Sequence, residues 1–104
     1  MPREKFSTLT EQMFYVLLCL REECCGMDIL DKVPAMTGGR VGVGSGTLYN
    51  LLEQFCGAGM IRETKVEGRR RSYLLTGYGR QVLEREYDRI QAQAEDYRRV
   101  FGKE

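Results

Sequence analysis

The chain has 104 residues, 42% of them hydrophobic and 30% charged, with a formal net charge of +1 and no histidine. This is room for one ordinary domain, with the balance of a folded protein and not of a disordered one. The near-neutral total excludes a uniformly basic nucleic-acid-coating body, and no apolar run approaches the roughly 18 residues that a membrane span needs.

The N-terminus, Met1-Pro2-Arg3-Glu4-Lys5, lacks the apolar segment of a secretory signal, so a cytoplasmic location is expected. In that compartment Cys19, inside an apolar run, and Cys56, inside a helical pattern, read as small core residues. The neighbours Cys24 and Cys25 read either as a redox pair or as two reduced thiols, and a cytosolic setting favours the thiols. Without histidine or a C-x-x-C pair, no metal and no cofactor is expected.

From Leu9 to Leu20 the pairs Leu9/Met13, Met13/Leu17 and Val16/Leu20 recur at four-residue spacing, which predicts a helix capped by Thr8 or Thr10. A shorter helix is predicted over Met27–Val33, ended by Pro34, which disfavours helical geometry in the residue before it. The segment from Thr37 through Gly46 carries five glycines, which mark a loop. A third helix is predicted from Ser45 to Cys56, with Leu48, Leu52 and Phe55 on one face, Thr47, Asn50 and Gln54 on another, and Gly57 and Gly59 at its exit.

Met60–Val66 and Ser72–Leu75 read as two strands of a hairpin, with Glu67-Gly68-Arg69-Arg70-Arg71 as the polar segment between them. After Thr76 a long helix is predicted almost to the end. Leu83, Tyr87, Ile90, Ala94, Tyr97 and Phe101 form a heptad seam along it, with mixed charges on the other faces.

Three helices, a basic-tipped hairpin and a long helix describe a mainly α chain with a small β-hairpin: a winged helix-turn-helix over residues 1–76, with a dimerisation helix over 77–104 of the same domain. The third helix suits the major groove of DNA, which admits one helix. Its start is rich in Gly, Ser and Thr, so backbone N–H groups can approach phosphate there, Ser45 included. Thr47, Tyr49 and Asn50 supply hydroxyl and amide groups. Three consecutive arginines, Arg69, Arg70 and Arg71, cannot all be buried, and at a hairpin tip they would neutralise phosphates, with Lys65 and Arg40 extending the patch. The seam of the last helix is too long for so small a domain to cover, which points to a homodimer reading two half-sites of double-stranded DNA.

These segments together resemble PadR-like transcriptional regulators. The resemblance lies in Leu9-Thr10-Glu11 and the apolar run after it, Gly26-Met27-Asp28-Ile29, Gly46-Thr47-Leu48-Tyr49, Leu52 through Gly59-Met60-Ile61, and Gly68-Arg69-Arg70-Arg71-Ser72-Tyr73-Leu74-Leu75-Thr76 followed by Gly79. The chain departs from the family where it has Cys25-Gly26-Met27 in place of the usual His-Gly-Tyr, and Gly44-Ser45 in place of the commoner Ser-Pro. The resemblance implies that Thr47 and Tyr49 lie at the DNA face, with Tyr49 touching phosphate and Asn50 influencing sequence choice. It implies that the last helix packs on the first and last helices of a second copy. It also brings in a flat aromatic effector held between subunits, for which Met13, Phe14, Tyr97 and Phe101 are the candidate lining, although core and dimer packing explain these residues more simply. A repressor is the expected role.

Other classes fit less well. Gly42-Val43-Gly44-Ser45-Gly46-Thr47 lacks the Gly-Lys-Ser/Thr ending of a phosphate-binding loop, and Ser45 and Ser72 have no histidine base. No enzyme is expected. A winged helix that binds protein instead of DNA is the alternative that the neutral total charge keeps open.

Overall fold

The computed structural model describes residues 8–102, so the N-terminal Met1–Lys5 segment and the outer limits of the two expected regions lie outside the described residues. Helix α1 spans Glu11–Cys19, β1 Cys24–Cys25, α2 Gly26–Thr37, α3 Ser45–Gly57, β2 Ile61–Glu67, β3 Arg70–Leu75 and α4 Gly77–Phe101. Together they form a winged helix-turn-helix with a long C-terminal helix. No helix among the described residues is long and apolar enough to cross a membrane.

Thr10 caps α1, its hydroxyl accepting the Met13 N–H at 3.2 Å. The helix buries Val16, Leu17 and Cys19, and with Leu20 these meet Ile29 and Val33 of α2, Leu48, Leu52 and Phe55 of α3, and Met60. Helix α2 runs four residues beyond the end expected at Val33, with Pro34 inside it. Burial of Ile29 and Val33 holds it on the core, and the Thr37 hydroxyl donates to Val33 O and accepts from Val41 N–H, both at 3.0 Å. Pro34 O is taken by Gly39 N–H at 2.8 Å, past a left-handed Gly38. These tertiary and capping bonds offset the backbone bond that proline removes.

Helix α3 ends in a Schellman motif. Gly59 has φ +77°, Met60 N–H reaches Phe55 O at 2.9 Å, and Gly59 N–H reaches Cys56 O at 3.1 Å. The expected hairpin forms, but as two strands of three. Its partner β1 pairs with β3, Cys24 opposite Tyr73 and Cys25 opposite Ser72, in the order β1-β3-β2. Two residues carry no alternation, so only tertiary pairing reveals this strand. The turn is also shorter than expected: Glu67 pairs with Arg70, leaving Gly68 and Arg69 as a two-residue turn with φ +64° at Gly68. Thr64 is the extra residue of a bulge between Glu63 and Lys65.

Helix α4 is capped by Thr76, whose hydroxyl accepts Gly79 N–H at 3.0 Å and donates to Gly59 O at 2.6 Å. Gly79, Val82 and Glu86 are its buried residues. At Glu86, only 3% exposed, the carboxylate accepts from Arg89 Nε at 3.0 Å and from the Leu9 backbone N–H, joining α4 to the start of α1. The hydrogen bond from Arg89, then that from Leu9, hold its pKa below the ordinary 4.5 against the opposing effect of burial. Beyond Glu86 the helix projects from the body: the whole of α4, 25 residues, is about 37 Å long, and the longest dimension of the molecule is 54 Å.

Two predictions follow from this packing. A methyl group at Gly79 would lie 2.0 Å from Met60 O, a backbone atom, whereas one at Gly57 would meet nothing within 4 Å. Gly79→Ala should lower stability in urea by about 2–3 kcal/mol, and Gly57→Ala should stay within about 0.5 kcal/mol of the parent. Because its folded pKa is depressed, the contribution of Glu86 is complete above pH 4.5 and is lost as the pH falls below it through the folded value. Glu86→Gln should cost roughly 1–2 kcal/mol at pH 7 and flatten the fall of the urea midpoint between pH 6 and pH 3.

Candidate nucleic-acid interface

The surface of interest is made by α3 and the wing. Leu48, Leu51, Leu52 and Phe55 turn inward, which leaves Ser45, Thr47, Tyr49 and Asn50 on the outside. Gly44 precedes the helix and offers no side-chain acceptor, so no capping group covers the first N–H groups of α3. Tyr49, 49% exposed, leans back toward the first residue of α2. A cleft of about 560 Å³ opens beside it, lined by Met27, Tyr49, Glu67, Arg69, Arg70 and Arg71 among others. A neighbouring groove of about 620 Å³ holds Asn50, Glu53, Cys56, Glu63 and Arg71 with Tyr49 and Tyr73. Tyr49, Arg71 and Tyr73 line both, so Tyr49 and Asn50 share one surface with the wing, while Ser45 and Thr47 line neither cleft.

The three arginines are not equivalent. Only Arg69 stands in the turn; Arg70 and Arg71 belong to β3, which corrects the expectation of a triple-arginine tip. Arg71 Nη1 is 3.2 Å from Glu63 Oε2 across the hairpin, and Lys65 Nζ is 3.7 Å from Glu67 Oε2. Both pairs are exposed and add little stability, but each offsets a positive charge locally. Arg69 and Arg70 have no ion-pair partner among the described residues and are the uncompensated charges at and beside the turn of the wing.

Arg40 lies elsewhere in the hydrogen-bond network. Its Nη2 donates to the Tyr15 hydroxyl at 2.9 Å and its Nη1 to Thr37 O at 3.4 Å, so it is anchored to α1 and the end of α2, and it does not line the wing cleft. Gln12 Nε2, donating to Gly42 O at 2.9 Å, holds the same loop from α1. Through these bonds the loop delivers α3 at a fixed angle.

The expected effector residues separate into two places within one protomer. Met13 and Phe14 pack on the core, and the groove beside Phe14, about 410 Å³, is lined by Leu9, Tyr15, Glu86, Tyr87, Arg89 and Ile90 among others. Tyr97 and Phe101 lie near the far end of α4, ring centroids 5.0 Å apart. The seam stays largely uncovered: Tyr87, Ile90, Tyr97 and Phe101 are exposed, Phe101 to 71%, while Leu83 and Ala94 are half-buried.

Sequence reasoning missed Gly26 and Met27 as cleft residues, because neither carries a DNA-binding signal by type. It also missed Glu86, which looks like one more charge on a mixed-charge helix. Cys56 is not a core residue as expected: it is exposed on α3 beside the wing. Cys19, Cys24 and Cys25 are buried, and burial above all pushes the Cys24 thiol up to about 11. No cluster of metal-ligating side chains occurs among the described residues.

Residues 16–85 match the family described as Transcriptional regulator PadR-like family. No curated protein matches the chain. Among solved structures, it is similar to a PadR family transcriptional regulator from Eggerthella lenta DSM 2243, with a TM-score of 0.74 and 21% identity over 88% of this chain and 82% of that one. RosR of H. salinarum gives a TM-score of 0.71 at 21% identity over 86% and 80% of the two chains. Bacillus subtilis PadR in complex with operator DNA gives 0.64 at 23% identity, over 74% of this chain and 46% of that one. At such identities the likeness carries the fold.

The cysteine arrangement makes a direct prediction. In the native protein at pH 8, a thiol reagent such as Ellman's should modify one cysteine rapidly and three only on unfolding, and Cys56→Ser should abolish the rapid phase.

Proposed function

The chain belongs to the PadR-like family of transcriptional regulators, and from that membership we propose that it acts as a homodimeric repressor gripping a pseudo-palindromic operator in duplex DNA. The observation that carries this reading is the shared surface of α3 and the wing, where Tyr49 stands in one cleft with the uncompensated Arg69 and Arg70. Helix α3 enters the major groove, with Ser45, Thr47 and Tyr49 near the backbone and Asn50 toward base edges. The wing lies on phosphates, Arg69 and Arg70 contributing more than Lys65 and Arg71, whose charges are offset by Glu67 and Glu63. Arg40, held by Tyr15, meets the backbone at the other side of α3.

The second copy covers the outer seam of α4. The seam starts at Leu83, half-buried against the core, and continues through Tyr87, Ile90, Ala94, Tyr97 and Phe101 along the part of the helix that leaves the domain, and Val100 adds to the exposed apolar end. A stripe of this length on a soluble domain is the mark of an interface. Two copies joined there present two recognition helices to half-sites about 34–36 Å apart. Release by a flat aromatic effector near Met13, Phe14, Tyr97 and Phe101, between the subunits, belongs to the same reading.

The test is selection of duplexes from a random-sequence library with purified protein, followed by binding at several salt concentrations. A symmetric preferred site and a dimer in sedimentation are expected. Arg69→Ala or Arg70→Ala should weaken binding to all sequences alike and reduce the slope of log K against log salt by about 2 per dimer, since each arginine is present twice. Arg71→Ala should change it less. A chain that stays monomeric and shows no duplex preference at low salt ends this reading.

A further inference from the structure

Tyr49 is half outside the protein, yet the end of its ring lies in a defined seat. A methyl group built on Gly26 would be 2.7 Å from Tyr49 Cε1, 3.0 Å from its hydroxyl oxygen and 3.1 Å from Cζ. Carbon atoms in contact settle at about 3.5–4.0 Å, so the ring occupies the volume that any side chain at position 26 would fill. Gly26 is the first residue of α2, and its φ is not positive. The backbone there does not call for glycine, and in a helix alanine is the more favourable residue. What Gly26 supplies is space.

The seat is held from the wing side. Cys24 and Cys25, immediately before Gly26, pair with Tyr73 and Ser72 of β3, and Tyr73 lines the same cleft as Gly26, Tyr49 and the wing arginines. The start of α2 is thus fixed to the wing, while Tyr49 is carried by α3. The ring bridges the two, with the cleft that holds Arg69 and Arg70 open beside it.

We infer that Gly26 is a positioning residue for DNA binding: it seats the Tyr49 ring against α2, so that the phenol stands at a set place beside the wing arginines. The inference rests on the reading of α3 and the wing as the DNA-binding surface. It is separable from folding for a physical reason. At Gly79 the obstacle to a methyl group is a backbone carbonyl, which cannot give way. At Gly26 it is the far end of a side chain that turns about two bonds. Alanine at position 26 therefore displaces the ring away from α2 and leaves the fold in place.

Gly26→Ala, Tyr49→Ala and the double variant, made in the full chain, test this in two measurements. In NMR of ring-labelled protein, the wild type should show a cross-peak between the Tyr49 ring, assigned by its loss in Tyr49→Ala, and the Gly26 Hα. Gly26→Ala should keep the wild-type far-UV circular dichroism and melting temperature while the Tyr49 ring signals move. On a duplex selected by the wild type, Gly26→Ala should bind about tenfold more weakly, and the double variant should bind like Tyr49→Ala alone. A missing cross-peak in the wild type, wild-type affinity in Gly26→Ala, or a double variant much weaker than Tyr49→Ala overturns the inference. Selection of no duplex by the wild type sinks the DNA reading and the positioning role with it; a wild type that binds while Gly26→Ala binds equally well sinks the positioning role alone.

Discussion

The structure depends on one crowded junction, where the chain leaves α3, enters the wing and later enters α4. Met60 O accepts the Thr76 N–H at 3.0 Å, Gly59 O accepts the Thr76 hydroxyl at 2.6 Å, and the same hydroxyl oxygen accepts the Gly79 N–H at 3.0 Å. The bare Cα of Gly79 lets the first turn of α4 lie directly on the Met60 carbonyl. Groups left unpaired at the exit of one helix and the entry of another thereby satisfy each other. Leu75 N–H, bonded to Leu20 O at 2.9 Å, adds the end of α1 to the same knot. The junction sets the angle between the wing and α4, and in the proposed dimer that angle sets the spacing of the two recognition helices.

Electrostatics act on a shorter scale than the net charge of +1 suggests. Glu63 and Glu67 offset Arg71 and Lys65 along the hairpin, leaving two guanidinium groups uncompensated at and beside the turn. Screening confines such a field to about 8 Å at physiological ionic strength, so its effect belongs to the cleft beside Tyr49 and not to the molecule as a whole. A nearly neutral chain can present a basic surface when its acidic partners stand on only part of the wing.

Helix α4 packs on its own domain mainly through its first part. Gly79, Val82 and Glu86 face the domain, and the buried carboxylate of Glu86 reaches Leu9 at the start of α1. Tyr87 and Ile90 border that contact in the groove beside Phe14, and the seam beyond them, to Phe101, has little of its own domain to cover it. The same α1–α4 contact carries the groove beside Phe14, so anything that moved α4 against α1 would act on the junction that orients the wing.

Much of this was legible in the residues alone. Apolar spacing placed the four helices, because burial of one helix face repeats locally and leaves a periodic trace, and the Gly-containing polar turn between two short strands placed the hairpin. The seam of α4 was readable from its heptad spacing, and the arginine triplet because three adjacent charges cannot all be buried. What required the tertiary structure were features made by contacts between distant segments. The two-residue strand β1 exists only by pairing with β3. The passage of α2 through Pro34 depends on Thr37 and on the packing of Val33. The inequality of the three arginines depends on strand register, the exposure of Cys56 on which side of α3 the wing approaches, and the seat of Tyr49 on the missing side chain of Gly26. Local pattern encodes which face is buried; it does not encode what that face meets, because the partner lies tens of residues away and is brought there by the fold.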